Sequence, residues 1–349
     1  MKASTHCLLL GNGLNRLSRQ LEWSKLLDRL EQELGIDGRV EHFDDKPLSL
    51  LFEELCAYVG GSFRDTERSI KKKIANILKD VQPQALHTAY LERFDVVLTT
   101  NYDYTLENAH CSPLLDRIPV APETRYSLFR RVRIGPREIW HIHGDIHVPE
   151  SILLGYDHYS GYLQKIRNYL TSGLKLAGRT DLLRSPLKSG NQSTEQCELK
   201  YYSWVDYFLR DHVHIVGLGL DFTEIDLWWL LLHKRRRRTQ TGYTFYYHIR
   251  INGVETKRDV PRLSVLRSLG MNVVGIDASS YREGYERVLD EVSRNIEANP
   301  QRRAADASPC DDDEAQSLDA LLTEDPVPEK PKQRELRLEA KGKKSRSGR

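Results

Sequence analysis

With 349 residues, 39% of them hydrophobic, the chain has apolar side chains for one large core or two smaller ones. A formal net charge of +2 excludes the global basic field that gathers nucleic acid, and no apolar run approaches the ~20 residues of a membrane span. The five cysteines (Cys7, Cys56, Cys111, Cys197, Cys310) form no C-x-x-C pair, which argues against a structural zinc site and a disulfide framework. The first residues lack the pattern of a secretory signal, so a reduced, cytoplasmic protein with no membrane partner is expected.

In chain order, His6–Leu10 reads as a buried strand, because a parallel strand covered on both faces needs no polar alternation. It runs into Gly11-Asn12-Gly13-Leu14-Asn15, where glycines permit a tight turn and close backbone approach. Leu17, Leu21, Leu26, Leu27, Leu30 and Leu34 then recur at helical spacing. Strand, glycine turn and helix start together make an anion site. The dinucleotide fingerprint, however, needs a third glycine, where Arg16 stands, and an acidic ribose contact about 20 residues later. Alone, the turn fits a phosphate loop and a structural corner alike.

The stretch Leu48–Val81 is helical by pattern. Further strands are expected at Asp95–Thr99, Glu138–Ile142, Ile152–Leu154, His214–Gly217, Thr244–Ile251 and Asn272–Ile276, with helices at Ile225–Leu232 and Tyr281–Ala298. Tyr156 to Arg210 reads as mostly helical, broken by the polar loop Ser185–Ser193. The alternation predicts an α/β fold: a Rossmann-like parallel sheet with helices on both faces over residues 1–299, with a helical insertion at about 156–212. Residues 300–349 read as a disordered charged tail. Nine acidic residues and no basic one fall between Asp306 and Glu329, nine basic and two acidic between Lys330 and Arg349, and no aromatic follows Tyr285.

Four strand ends carry polar residues that a mere corner does not require: GNGLN at Gly11–Asn15, TTNYD at Thr99–Asp103, HIHGD at His141–Asp145 and GLGLD at Gly217–Asp221. In open α/β sheets, ligands bind outside the carboxyl ends of strands, so one shared site is expected there.

In this order the four segments resemble the sirtuin-like NAD-binding fold, in particular the sirtuin-like NADase domains of bacterial anti-phage defence effectors. GNGLN is similar to the sirtuin G-A-G-x-S phosphate loop, TTNYD to T-Q-N-I-D, HIHGD to the catalytic H-G pair and GLGLD to the later G-T-S ribose loop. The match spans residues 6 to about 230 and, by strand order, reaches about 297. Asn12 and Asn15 depart from the family's alanine and serine. The four-cysteine zinc module of sirtuin deacylases is also missing, since that interval holds only Cys197.

The resemblance implies NAD as substrate and no metal. It gives cofactor contacts to Gly11, Asn12, Gly13, Asn15, Thr100, Asp103, Gly217, Gly219 and Asp221, with the first turn on the pyrophosphate and Asp103 on the nicotinamide carboxamide. Asn101 and His143 are the candidate catalytic residues. Cleaving the nicotinamide–ribose bond passes through an oxocarbenium-like cation and calls for a positioned water, a base of suitable pKa and a held ribose. Asn101 orients water or ribose hydroxyls without adding charge, and His143 accepts a proton near neutral pH.

Each has a plainer reading: His143 as a hydrogen-bonded strand-end histidine, Asn101 as the cap of a helix beginning near Asp103. His141 is read as structural and pointing away from His143, and Asp157 and His158 stand in reserve for catalysis. The run Lys234–Arg238 reads as a solvated helix end suited to the dipole, with a nucleic-acid or partner contact left open. The expected function is NAD hydrolysis by a NAD-depleting defence effector, as a homo-oligomer controlled by a separate sensor protein. A NAD-dependent deacylase, an ADP-ribosyl transferase and a non-catalytic nucleotide sensor are the alternatives.

Overall fold

The computed structural model describes residues 6–18, 23–36, 38–40, 46–110, 115–118, 125–175, 182–188, 203–237 and 241–299. The expected tail, Cys111, Cys197, Cys310, Arg238 and most of the 185–193 loop lie outside these residues.

Ten strands and ten α-helices alternate along the described chain: β1 (His6–Leu10), α1 (Trp23–Leu34), α2 (Leu48–Val59), α3 (Phe63–Leu78), α4 (Ala85–Leu91), β2 (Val96–Thr99) and α5 (Thr105–Ala109). A meander of β3 (Leu115–Ile118), β4 (Arg131–Ile134) and β5 (Arg137–His141) follows, then α6 (Tyr156–Leu170), β6 (Leu174–Lys175), β7 (Leu182–Leu183) and α7 (Trp204–Arg210). The last third holds β8 (His212–Val216), α8 (Ile225–Arg236), β9 (Thr244–Ile251), α9 (Asp259–Ser268), β10 (Asn272–Ala278) and α10 (Tyr281–Ala298). No helix among the described residues is long and apolar enough to cross a membrane.

Eight strands form one sheet in the order β10-β9-β8-β1-β2-β5-β4-β3, parallel from β10 to β5 and antiparallel beyond. The fold class is therefore the expected Rossmann-like α/β sheet. Alternate residues of β1 face opposite cores, Leu8 and Leu10 toward α1–α4 and α10, Cys7 and Leu9 toward α6–α9. The chain runs outward from β1 through β2 to β5, then returns to β8 on the other side, so the strand order reverses between β1 and β8. Ligands of open α/β sheets bind at such a reversal.

Three expectations need correction. Ile152–Leu154 is buried but forms no strand; Leu153 N–H donates instead to the His143 carbonyl at 2.9 Å. The helical stretch from Leu48 is two helices, because Gly60 and Gly61 both take positive φ, 74° and 83°, which ends α2. Among the described residues of the 156–212 region, only α6 and α7 are α-helical, with the β6–β7 pair between them.

At the amino-terminal pole of the sheet a line of hydrogen bonds crosses three elements. Tyr247 Oη donates to His214 Nδ1 at 2.9 Å, His214 Nε2 to His6 Nδ1 at 3.0 Å, and His6 Nε2 to the Asn299 carbonyl at 2.9 Å. Burial, reinforced by neighbouring His6, His212 and Lys234, pushes His214 down to about 2, so the ring is neutral and serves as a relay of donors.

Candidate active site

The two glycine turns at the strand reversal touch each other. A Cβ on Gly11 would fall 2.6 Å from the Gly217 carbonyl oxygen, and one on Gly13 would fall 2.7 Å from that oxygen and 2.3 Å from the Tyr285 hydroxyl. Gly217 has φ 62°, which lets its carbonyl meet the first turn. Gly11 N–H donates to Val216 O (3.0 Å) and Gly13 N–H to Gly217 O (2.7 Å). These glycines are thus needed for packing, and their amides are engaged within the protein. Gly219 differs, since a Cβ there would meet open space.

Asn15, fully buried, ties the first turn to the second strand end. Gln84 N–H donates to His87 Nδ1 (3.0 Å), which places the His87 proton on Nε2 and directs it to Asn15 Oδ1 (2.9 Å). The Asn15 amide is thereby fixed. Its Nδ2 donates to Asn12 Oδ1 (2.8 Å) and to Asp103 Oδ2 (2.9 Å). Burial keeps His87 neutral, lowering it to about 4. Asp103 Oδ1 accepts from Thr105 N–H (3.0 Å), the first residue of α5, whose N-cap is Tyr104, so Asn101 is not that helix's cap. Burial raises the Asp103 pKa despite these bonds.

At the end of β2, Thr99 Oγ1 donates to Leu10 O (3.0 Å) and accepts from Asn101 N–H (3.0 Å), while Thr100 N–H reaches the same Leu10 carbonyl at 3.2 Å. Asn101 is only 7% exposed, and its Nδ2 lies 3.5 Å from Gly11 O. Its Oδ1 is buried with no hydrogen-bond partner among the described residues. An orphaned buried acceptor is costly, and a ligand donor would satisfy it. The Asn101 main-chain carbonyl accepts from His141 Nδ1 (3.0 Å), and His141 Nε2 lies 2.7 Å from Glu107 Oε1. Both ring nitrogens face acceptors, so both carry protons. Burial opposes the charge, but Glu107 outweighs it and raises His141 to about 9.

His143 faces the opposite way, toward Tyr159, Tyr162 and α8. Residues two apart in a regular strand share a face. The rings part because β5 ends at His141 and the chain turns through Gly144, whose φ is 95°. His143 Nε2 lies 2.9 Å from Asp226 Oδ2 near the start of α8. Because β5 and β8 stand three places apart, about 14 Å, this bond spans the carboxyl ends of β1 and β2. Burial disfavours the His143 charge, yet Asp226 and Glu224 raise its pKa overall. Burial, with Asp226 and Asp221 nearby, raises Glu224 itself to about 7.

The other expected residues sit less centrally. Asp221 is exposed, its Oδ1 holding Thr223 N–H (2.9 Å) and Oγ1 (2.8 Å). Asp157 is exposed on α6. His158 accepts at Nδ1 from Leu154 and Gly155 N–H (3.2 and 2.9 Å) and meets Glu67 at 3.2 Å, so both nitrogens are engaged. Burial and Lys71 lower it to about 4. Lys234 corrects the reading of a solvated basic run: it is buried, and Nζ donates to the carbonyls of Phe208 (2.9 Å) and Asp211 (2.6 Å) at the end of α7. Arg235 and Arg236 are exposed. Among the described residues no group of three or more His, Cys, Asp or Glu side chains could hold a metal ion.

Residues 95–246 match the SIR2-like domain family. This stretch runs from the start of β2 into β9 and contains TTNYD, HIHGD, GLGLD and the Asp226 helix, while GNGLN precedes it. The chain matches no curated protein. The similarity to a SIR2-like domain implies a NAD-related function.

Proposed function

We propose that the protein is a NAD glycohydrolase that cleaves NAD to nicotinamide and ADP-ribose. The observation that carries this reading is the orphaned Oδ1 of Asn101, buried at the end of β2 beside the strand reversal. A ribose hydroxyl or a bound water is a donor of the right size for it. The nicotinamide–ribose bond breaks with its electron pair going to the nicotinamide nitrogen, which leaves uncharged, so no strong acid is needed. Water adds to the sugar carbon and releases one proton, for which His143 is the proposed base. The second role in the reading, also drawn from the resemblance, is depletion of NAD as the effector of an anti-phage abortive-infection system. Constant hydrolysis would harm the host, so control by a partner protein of the same system and homo-oligomeric assembly belong to the proposal.

Purified protein incubated with NAD, alone and with the products of neighbouring genes, tests it. Nicotinamide release in one of these mixtures is expected. Tight NAD binding without release in any of them would leave a nucleotide sensor as the better reading. Turnover of an acylated peptide, with one zinc per chain by elemental analysis, would restore the deacylase alternative.

A further inference from the structure

Two histidine–carboxylate pairs stand at the carboxyl end of the sheet, and they differ in what their nitrogens leave free. His141 has both nitrogens engaged, one by Asn101 O and one by Glu107. His143 has only Nε2 engaged, by Asp226 Oδ2 at 2.9 Å, and Nδ1 makes no hydrogen bond among the described residues. Asp226 is fully buried, and its Oδ1 has no partner among the described residues. Three buried aspartates that hold loops and helix starts here are satisfied at both oxygens, whereas Glu107 Oε2, like Asp226 Oδ1, has no hydrogen-bond partner among the described residues. Asp103 meets Thr105 and Asn15, Asp145 meets His147, Val148 and Arg130, and Asp206 meets Ser185, Tyr169 and Ser203.

We propose that Asp226 is a positioning residue: it holds the His143 proton on Nε2, so that the lone pair on Nδ1 is the one that receives the proton of the attacking water. This rests on the NAD-hydrolase reading. As the sugar–nitrogen bond breaks and the water oxygen bonds to the sugar carbon, the water proton passes to Nδ1. The imidazolium so formed lies against the Asp226 carboxylate until its proton returns to solvent. The groups around the ring are Asp226 and Glu224 from the start of α8, with Asp221 behind them, Tyr159 and Tyr162 from α6, and Tyr102 after β2. Among the described residues only Asp226 hydrogen-bonds the ring.

The test compares full-length wild type with Asp226→Asn and Asp226→Glu. Nitrogen NMR of the imidazoles, with His143 assigned by the signal lost in His143→Ala, should show Nε2 protonated in wild type. In Asp226→Asn the His143 titration midpoint should fall, because the carboxylate that raises it is gone. In the nicotinamide-release assay Asp226→Asn should lose about 10²- to 10⁴-fold in kcat, with KM little changed and the acid limb of its pH profile displaced to lower pH. Asp226→Glu should recover part of the rate. An unchanged tautomer and midpoint in Asp226→Asn, or full kcat, overturns the proposal. If wild type releases no nicotinamide under any condition, the hydrolase reading fails and takes the catalytic use of Nδ1 with it. The NMR comparison then still decides whether Asp226 sets the tautomer.

Discussion

His141 donates one ring proton to the main-chain carbonyl of Asn101 and the other to Glu107, across 3.0 and 2.7 Å. A side chain on β5 thereby fixes the backbone of the residue whose own Oδ1 has no partner among the described residues. The arrangement needs the imidazolium, which ties it to pH. The folded pKa of about 9 lies above the ordinary histidine value, so the contribution to stability is complete below pH 6.5 and is lost as pH rises through about 9. Glu107→Gln should therefore melt well below wild type at pH 6, by an amount on the order of a few kcal/mol, with the gap narrowing toward pH 9. Thermal unfolding at several pH values checks this; parallel curves for the two proteins would contradict it.

Asn101→Ala and His143→Ala should each lower nicotinamide release by about 10²- to 10⁴-fold while leaving the fold intact. Circular dichroism and melting establish folding, and the release assay establishes the rate. A well-folded variant with wild-type turnover would remove that residue from the mechanism.

The glycines at the strand reversal should divide into two kinds. Gly13→Ala places a methyl against the Tyr285 hydroxyl and the Gly217 carbonyl, so it should destabilise the protein by about 1–3 kcal/mol. Gly219→Ala meets open space in the protein and should melt like wild type, yet weaken NAD binding if the ligand backbone passes there. Calorimetric titration with NAD separates the two effects. Equal melting losses for both variants would show that the second turn is packed as tightly as the first.

A chain ending at Asn299 should fold and bind NAD like the full chain, while its response to an activating partner changes. The motive is compositional: an acidic block abuts a basic one, and their mutual attraction is screened beyond roughly 8 Å at physiological salt. Failure of the shortened chain to fold would place the boundary in the wrong position.

The parallel strands were legible: His6–Leu10 reads as a buried apolar run and Thr244–Ile251 as a strand candidate, and both match the observed bounds. The β4 strand was missed although Arg131, Val132, Arg133 and Ile134 alternate with the period of a half-buried strand, because the alternation lasts only four residues. The strand-end motifs marked segments that the sheet order brings side by side, but not the hydrogen-bond partners that hold them. His87, Glu107 and Asp226 belong to no motif that pairs them with Asn15, His141 and His143. The Asp226–His143 bond joins residues 83 apart in sequence through the sheet order, which spacing along a chain does not encode. Asp103 was legible as polar and beside a strand end, yet its bond to the Thr105 N–H depended on where α5 begins.

The hydrogen bond from His6 to the Asn299 carbonyl brings the two ends of the described chain side by side, at the amino-terminal pole of the sheet. Residues 6–299 are in this sense already nearly a ring. A circular permutant that joins these ends by a short linker and opens the chain at the exposed turn around Gly253 would keep every strand neighbour. A module grafted at His6 or Asn299 would emerge at the pole opposite the carboxyl ends of the parallel strands.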